Sequence, residues 1–252
     1  ATLDRLDREA ARRLYDKLFG NVADFVFFFA GEMPAAEARP LVEKYIGSLP
    51  AAPKRKFAKT DFRIVPGTAE YDAVVPGAVT PKSSIERIYH GRFDYTPENY
   101  AALRYVTYIL GARYLTTVRE EKGGTYGVRV QGSTKYIPRE TYSMTISFDT
   151  NEEMADELRE IVMKEIEEIA ANGPKSEDIE KNREFMLKSW KNSLEQNGAW
   201  MSYIQIKYGS GLNYIADHEQ AIRDLTNADV QALAKKILAD GNLVKVVMRP
   251  SK

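Results

Sequence analysis

The sequence predicts an α+β fold, an antiparallel sheet with helices packed on one face, preceded by part of a second module of the same kind. Three observations predict it. Tyr142, Met144, Ile146 and Phe148 alternate strictly with Thr141, Ser143, Thr145 and Ser147. That period of two gives a strand with one apolar and one polar face, as in an antiparallel sheet with one side open. Helices with clear starts and stops surround this strand. Finally, residues 4–31 and 226–249 both read capped helix, short polar turn, apolar strand, so one unit's tail occurs twice in the chain.

Taken in order, residues 4–19 form a helix capped by Asp4 or Asp7, with Leu14, Leu18 and Phe19 on an apolar face. Phe25–Ala30 is a short apolar run that suits a buried strand. Pro34 opens a helix carrying Leu41, Val42, Tyr45 and Ile46, stopped at Gly47. Residues 50–60 hold two prolines and four lysines or arginines without periodicity, so 51–61 reads as a linker. Phe62–Val65, Tyr71–Val75 and Ser84–Phe93 are strand candidates. Thr96-Pro97-Glu98 joins a hydroxyl cap, a first-turn proline and a first-turn acid, and predicts a long helix to about Lys122.

Thr125–Thr134 and Thr141–Phe148 read as a hairpin. Thr150 and Glu153 have capping-box spacing before Met154, Leu158, Ile161, Val162, Ile166 and Ile169. Asn172-Gly173-Pro174 ends that helix and Ser176 starts the next. A helix over 197–208 is broken at Gly209-Ser210-Gly211. Thr226 and Asp229 cap a last helix, and Leu243–Met248 is a closing strand.

Composition narrows the function. Lys plus Arg and Asp plus Glu number 36 each, so the net charge is zero and gives no electrostatic case for nucleic acid or an anionic membrane. There is no cysteine, which excludes disulfides and thiol catalysis in this chain. No apolar run approaches the ~18 residues of a membrane span. The charged, amphipathic start is unlike a signal peptide, and is expected to lie inside a larger protein.

Val118–Val130, VREEKGGTYGVRV, carries the chemistry. Arg119 to Lys122 is the expected last turn of the long helix. Gly123 and Gly124 stop it, since glycine enters the left-handed cap without steric cost. Tyr126, Val128 and Val130 then take strand spacing. A guanidinium at a helix end and a phenol at a strand start are thus brought together by a tight turn. The stretch resembles the arginine–tyrosine motif in the C-terminal half of the pitrilysin/insulysin-type (M16) zinc metallopeptidases. FVFFFAGEM…LVEKYIGSLP resembles the end of such a module, and the order of elements after the linker resembles a complete one.

The resemblance implies residues 1–50 as the C-terminal part of one M16-like module and 62–252 as a complete C-terminal module. It implies a zinc metalloendopeptidase for peptides or unfolded segments. Zinc and base would come from an N-terminal half, on the same polypeptide or a partner subunit, and a bacterial periplasm or envelope would be the setting. Arg119 and Tyr126 would be catalytic and substrate-binding, with Gly124 shaping the substrate-binding turn. The His-x-x-Glu-His zinc motif of the family is missing. The only histidines are His90 and His218, far apart in sequence and expected as ordinary surface or sheet residues, so this chain holds no metal by itself and is expected to be inactive alone.

Physically, a tyrosine hydroxyl donates a hydrogen bond to a carbonyl oxygen gaining charge, and arginine offers a fixed fork of donors. Tyr203, Tyr208 and Tyr214 suit either a chamber wall for varied peptides or plain core packing. Taken by itself, the pair has a plainer explanation: Arg119 offsets a helix dipole and Tyr126 is a sheet aromatic. The rival functions are a non-catalytic M16-like scaffold and a peptide-binding subunit.

Overall fold

The computed structural model describes residues 6–56, 64–76, 82–120, 125 and 127–251, with the side chains of Arg119 and Glu120 set aside. The chain forms two compact units, one of residues 1–59 with 196–205, the other of 60–195 with 206–252.

In the first unit, α1 (Arg8–Phe19) is capped by Asp7, whose carboxylate accepts from the amides of Glu9 and Ala10. Tyr15, Phe19, Phe25 and Phe27 form a run of ring contacts 5.0–6.2 Å apart. The second helix, α2, spans Ala35–Tyr45. The apolar run at 25–30 is not a strand: it has no ladder partner among the described residues, and Phe25, Phe27 and Phe29 are exposed. Apolar character signals burial, but a strand also requires a second backbone to pair with. Residues 50–55 are fastened onto this unit. The Pro50 carbonyl accepts from Val22 N, Asn21 Oδ1 accepts from Ala52 N, and Arg55 reaches Asp24 and the carbonyls of Lys17 and Leu18.

The second unit is built on five strands: β1 (Thr68–Val75), β2 (Ser83–Arg92), β3 (Arg129–Lys135), β4 (Thr141–Thr150) and β5 (Leu243–Pro250). Their order is β1-β5-β2-β4-β3. The pairings are antiparallel except β1 with β5, which is parallel. Helices α3 (Pro97–Tyr114), α4 (Ala155–Asn172), α5 (Ser176–Ser193), α7 (Tyr214–Asp224) and α8 (Asn227–Ala239) join the sheet in one core. Ile85, Tyr89, Tyr142, Met144, Ile146 and Phe148 are buried on the helix side. Their strand neighbours form the opposite face. Among the described residues no helix is long and apolar enough to cross a membrane.

Capping chemistry explains several boundaries. Thr226 and Asp229 form the expected reciprocal capping box at the start of α8. The expected box at Thr150 does not form: β4 runs through Thr150, which pairs with Ser83, and α4 starts at Ala155. Asn151 Oδ1 instead accepts from Met154 N at 3.0 Å. The helix α6 (Asn197–Ser210) continues through Gly209, and the break falls at Gly211, whose φ of 80° few other residues tolerate.

Candidate functional site

Helix α3 carries the approach to Arg119. Thr96 Oγ1 accepts from Asn99 N at its start. Ala101, Tyr105, Val106, Ile109 and Leu110 bury its inner face. The Tyr105 hydroxyl donates to the Ile222 carbonyl at 3.1 Å and the Tyr114 hydroxyl to the Val162 carbonyl at 2.7 Å. Regular α geometry ends at Tyr114, and Leu115–Glu120 forms a π-helical turn. Such turns are rare and, where they occur, are frequent at functional sites. This one is held from within by Val118, which is fully buried.

The backbone of Arg119 belongs to that turn. Its side chain, together with Gly123, Gly124 and Tyr126, lies outside the described residues. On the far side of the turn, the Thr125 hydroxyl accepts from Gly127 N at 3.3 Å and donates to Gly127 O at 3.2 Å. This local clasp orients the chain just before β3.

The sheet face away from the helices bears two depressions. The one at the β3 start has a volume of ≈ 390 Å³ and is bordered by Gly127, Arg129, Glu86, Ser147 and Asp149. The other, ≈ 540 Å³, lies toward the opposite ends of the same strands, between Tyr71, His90, Lys135, Arg139, Thr141 and Ser143. Its wall is mainly apolar with cationic groups at the edge, a surface suited to side chains of an extended peptide.

Among the described residues the histidines do not come together. His90 sits in β2 and is half-buried on the open sheet face. His218 is not the surface or sheet histidine expected: it lies in α7 at 2% exposure, within the helical layer. The two face different sides of the sheet, and among the described residues no three His, Cys, Asp or Glu side chains converge. His218 instead stacks on Tyr214 at 4.3 Å and meets Trp190 edge-on at 4.7 Å, with Tyr100 beyond. Burial, reinforced by the Arg104 charge, pushes its imidazole down to about 4. Among the described residues its Nδ1 is buried without a partner.

Tyr214 is therefore core and not chamber wall, while Tyr208 is exposed and Tyr203 half-buried beside Trp200. Helix α7 and its aromatic cluster escape the sequence-based reading. Their available signal is the spacing of Tyr214, His218, Ala221 and Ile222, but Asn213 makes no side-chain cap to announce the helix.

A family profile described as the peptidase M16 inactive domain matches residues 5–186. A "Zinc protease PQQL-like" protein of Arabidopsis thaliana is 22% identical over 223 residues, covering 82% of this chain and 23% of that protein. In fold, the chain is similar to a point mutant of the ferredoxin protease FusC, solved in complex with Arabidopsis ferredoxin. The TM-score is 0.78 at 18% identity, over 100% of this chain and 27% of that one. It is also similar to the peptidase M16 inactive domain from Pseudomonas fluorescens, with a TM-score of 0.71 at 23% identity over 88% and 53% of the two chains. The periplasmic protease PqqL from Escherichia coli aligns with a TM-score of 0.68 at 15% identity over 88% and 25%. The chain thus spans about a quarter of the length of the curated relative it matches. With the profile covering most of its residues, the chain belongs to the peptidase M16 family, through its inactive domain.

Proposed function

We propose that this chain is the substrate-binding C-terminal part of an M16 zinc metalloendopeptidase that cleaves peptides or unfolded segments. Residues 1–50 end one module, 51–61 link, and 62–252 form the module that faces the substrate. Zinc and the general base belong to the N-terminal half. Arg119 positions the peptide through its guanidinium fork, and Tyr126 donates a hydrogen bond to the scissile carbonyl oxygen as charge builds there, with Gly124 shaping the turn between them.

The observation that carries this reading is the π-helical turn Leu115–Glu120, pinned by buried Val118, which places the Arg119 backbone at the end of α3 before the hairpin. The depression beside Gly127 and Arg129 gives room for substrate at the β3 start. The ferredoxin bound to the structurally similar FusC is a precedent for a small protein as substrate.

The test is Tyr126→Phe in the full-length protein, with kcat and peptide affinity measured separately. Loss of one such donor costs about 2.7–4 kcal/mol, so kcat falls roughly 100- to 1,000-fold while affinity changes little. Unchanged turnover would sink the catalytic role and favour a peptide-binding subunit. A non-catalytic scaffold predicts no hydrolysis at all, in the variant or in the parent.

A further inference from the structure

We propose that the groove between α3 and the edge strand β3 binds an extended peptide segment and seats an acidic side chain of that segment on Arg104. The assignment rests on the substrate-binding reading for its occupant, a peptide, but not on any catalytic step.

Three observations and one general property of edge strands lead to it. The strand order puts β3 at the sheet edge, with β4 as its ladder partner among the described residues. Alternate backbone groups of an edge strand point outward and pair readily with another extended chain. Beside this edge, Arg104, Thr107 and Tyr108 of α3 and Gln131, Gly132 and Thr134 of β3 enclose ≈ 270 Å³. A Cβ at Gly132 would stand 2.9 Å from Leu103 Cγ, so the glycine lets helix and strand close on each other and form the groove floor.

The charges select the occupant. Arg104 is half-buried, yet among the described residues no carboxylate pairs with it. Arg113, by contrast, lies 3.4 Å from Glu165 and 3.3 Å from Asp178. The Arg104 guanidinium donates to the Tyr108 hydroxyl at 2.7 Å and lies 6.0 Å and 5.4 Å from the Tyr100 and Tyr108 ring centres. Among the described residues one Nη is thereby used and the rest of the donor fork is left over, while the Tyr108 hydroxyl keeps its own proton to donate. A carboxylate matches both. Along the edge, Arg129 and Lys135 mark the two ends of β3, and no acid stands between them. A strand laid outside β3 turns alternate side chains toward α3, roughly 7 Å apart. Because the chain of such a strand continues past Arg104, the carboxylate is that of an aspartate or glutamate side chain and not a chain terminus.

The test uses the full 252-residue chain and a fluorescent, N-acetylated, C-amidated peptide of eight alternating Ser and Thr residues with one central Glu. The Glu peptide is expected to bind about tenfold or more tighter than its Gln counterpart, the scale of a hydrogen bond to a charged group. Arg104→Gln erases that preference and Arg104→Lys keeps part of it. N-methylation of alternate peptide amides abolishes binding by both peptides.

The proposal is overturned if neither peptide binds, if Glu and Gln peptides bind alike, if the preference survives Arg104→Gln, or if N-methylation changes nothing. A Gln peptide with a free C-terminus that binds as tightly as the Glu peptide refutes the side-chain assignment. The peptide comparisons on the unaltered chain stand even where Arg104→Gln fails to fold. Equal Glu and Gln affinities together with a turnover loss in Tyr126→Phe would discard this groove and leave the hydrolytic reading in place.

Discussion

The Tyr114 hydroxyl donates a 2.7 Å hydrogen bond to the Val162 carbonyl, joining the last regular turn of α3 to the middle of α4. Both residues are buried at about 1% exposure or less. Burial pushes the phenol well above its ordinary range, so it is a neutral donor at all working pH values. The irregular turn carrying Arg119 begins at the next residue.

Removing that donor tests how α3 is anchored. Tyr114→Phe keeps the ring and loses the bond, at an expected cost of about 1 kcal/mol in urea denaturation of the chain. If the anchor also sets the Arg119 turn, kcat/KM of the full-length protein drops with it. A stability loss with unchanged kcat/KM would show that the turn is held by Val118 alone.

His218 gives the fold an acid sensitivity with a defined window. It is buried among Tyr100, Trp190 and Tyr214 with the Arg104 charge nearby, and its folded value of about 4 lies below the ordinary 6.5. Above pH 6.5 both states are neutral at this position and stability is unaffected. As pH falls from 6.5 toward 4 the unfolded chain takes up the proton first, and stability declines by on the order of 3 kcal/mol. Below about 4 the loss levels off. Denaturation curves of the parent and His218→Phe across this range should diverge, the variant showing the shallower dependence. Parallel curves would mean that the imidazole takes up its proton equally in the folded and unfolded chain.

At Gly132 the helix α3 and the strand β3 approach closely. A methyl group there meets Leu103 Cγ at 2.9 Å and Thr107 Cγ2 at 3.0 Å. Gly132→Ala is therefore expected to destabilise the chain by about 1–3 kcal/mol, despite the better strand propensity of alanine. A neutral result in thermal or urea unfolding would show that Leu103 moves aside freely.

Much of this fold is legible in the sequence because local chemistry and tertiary structure agree. The alternation in β4, the Thr96 start of α3 and the Thr226–Asp229 box all mark elements found in place. Where they disagree, the reading fails for identifiable reasons. Thr150 has cap spacing, but the ladder with β2 claims it first. Phe25–Ala30 has strand composition without a strand to pair with among the described residues. The parallel pairing of β1 with β5 is invisible because alternation reveals a strand's faces but not its neighbour. In the candidate site, Arg119 and Tyr126 announce themselves by motif. Arg104 does not, since a lone arginine on an apolar helix looks solvated until β3 is laid beside it.

The sheet order also constrains how the chain is made. The strand β5 stands between β1 and β2, and β1 pairs with β5 alone among the described strands. Glu70 of β1 meets Lys245 of β5 across 175 residues of sequence. On the ribosome, β1 therefore emerges long before its neighbour exists, and the sheet stays open down its middle until the last strand is released. Throughout that interval the exposed edges of β1 and β2 are available to holding chaperones, to proteases and to other nascent chains.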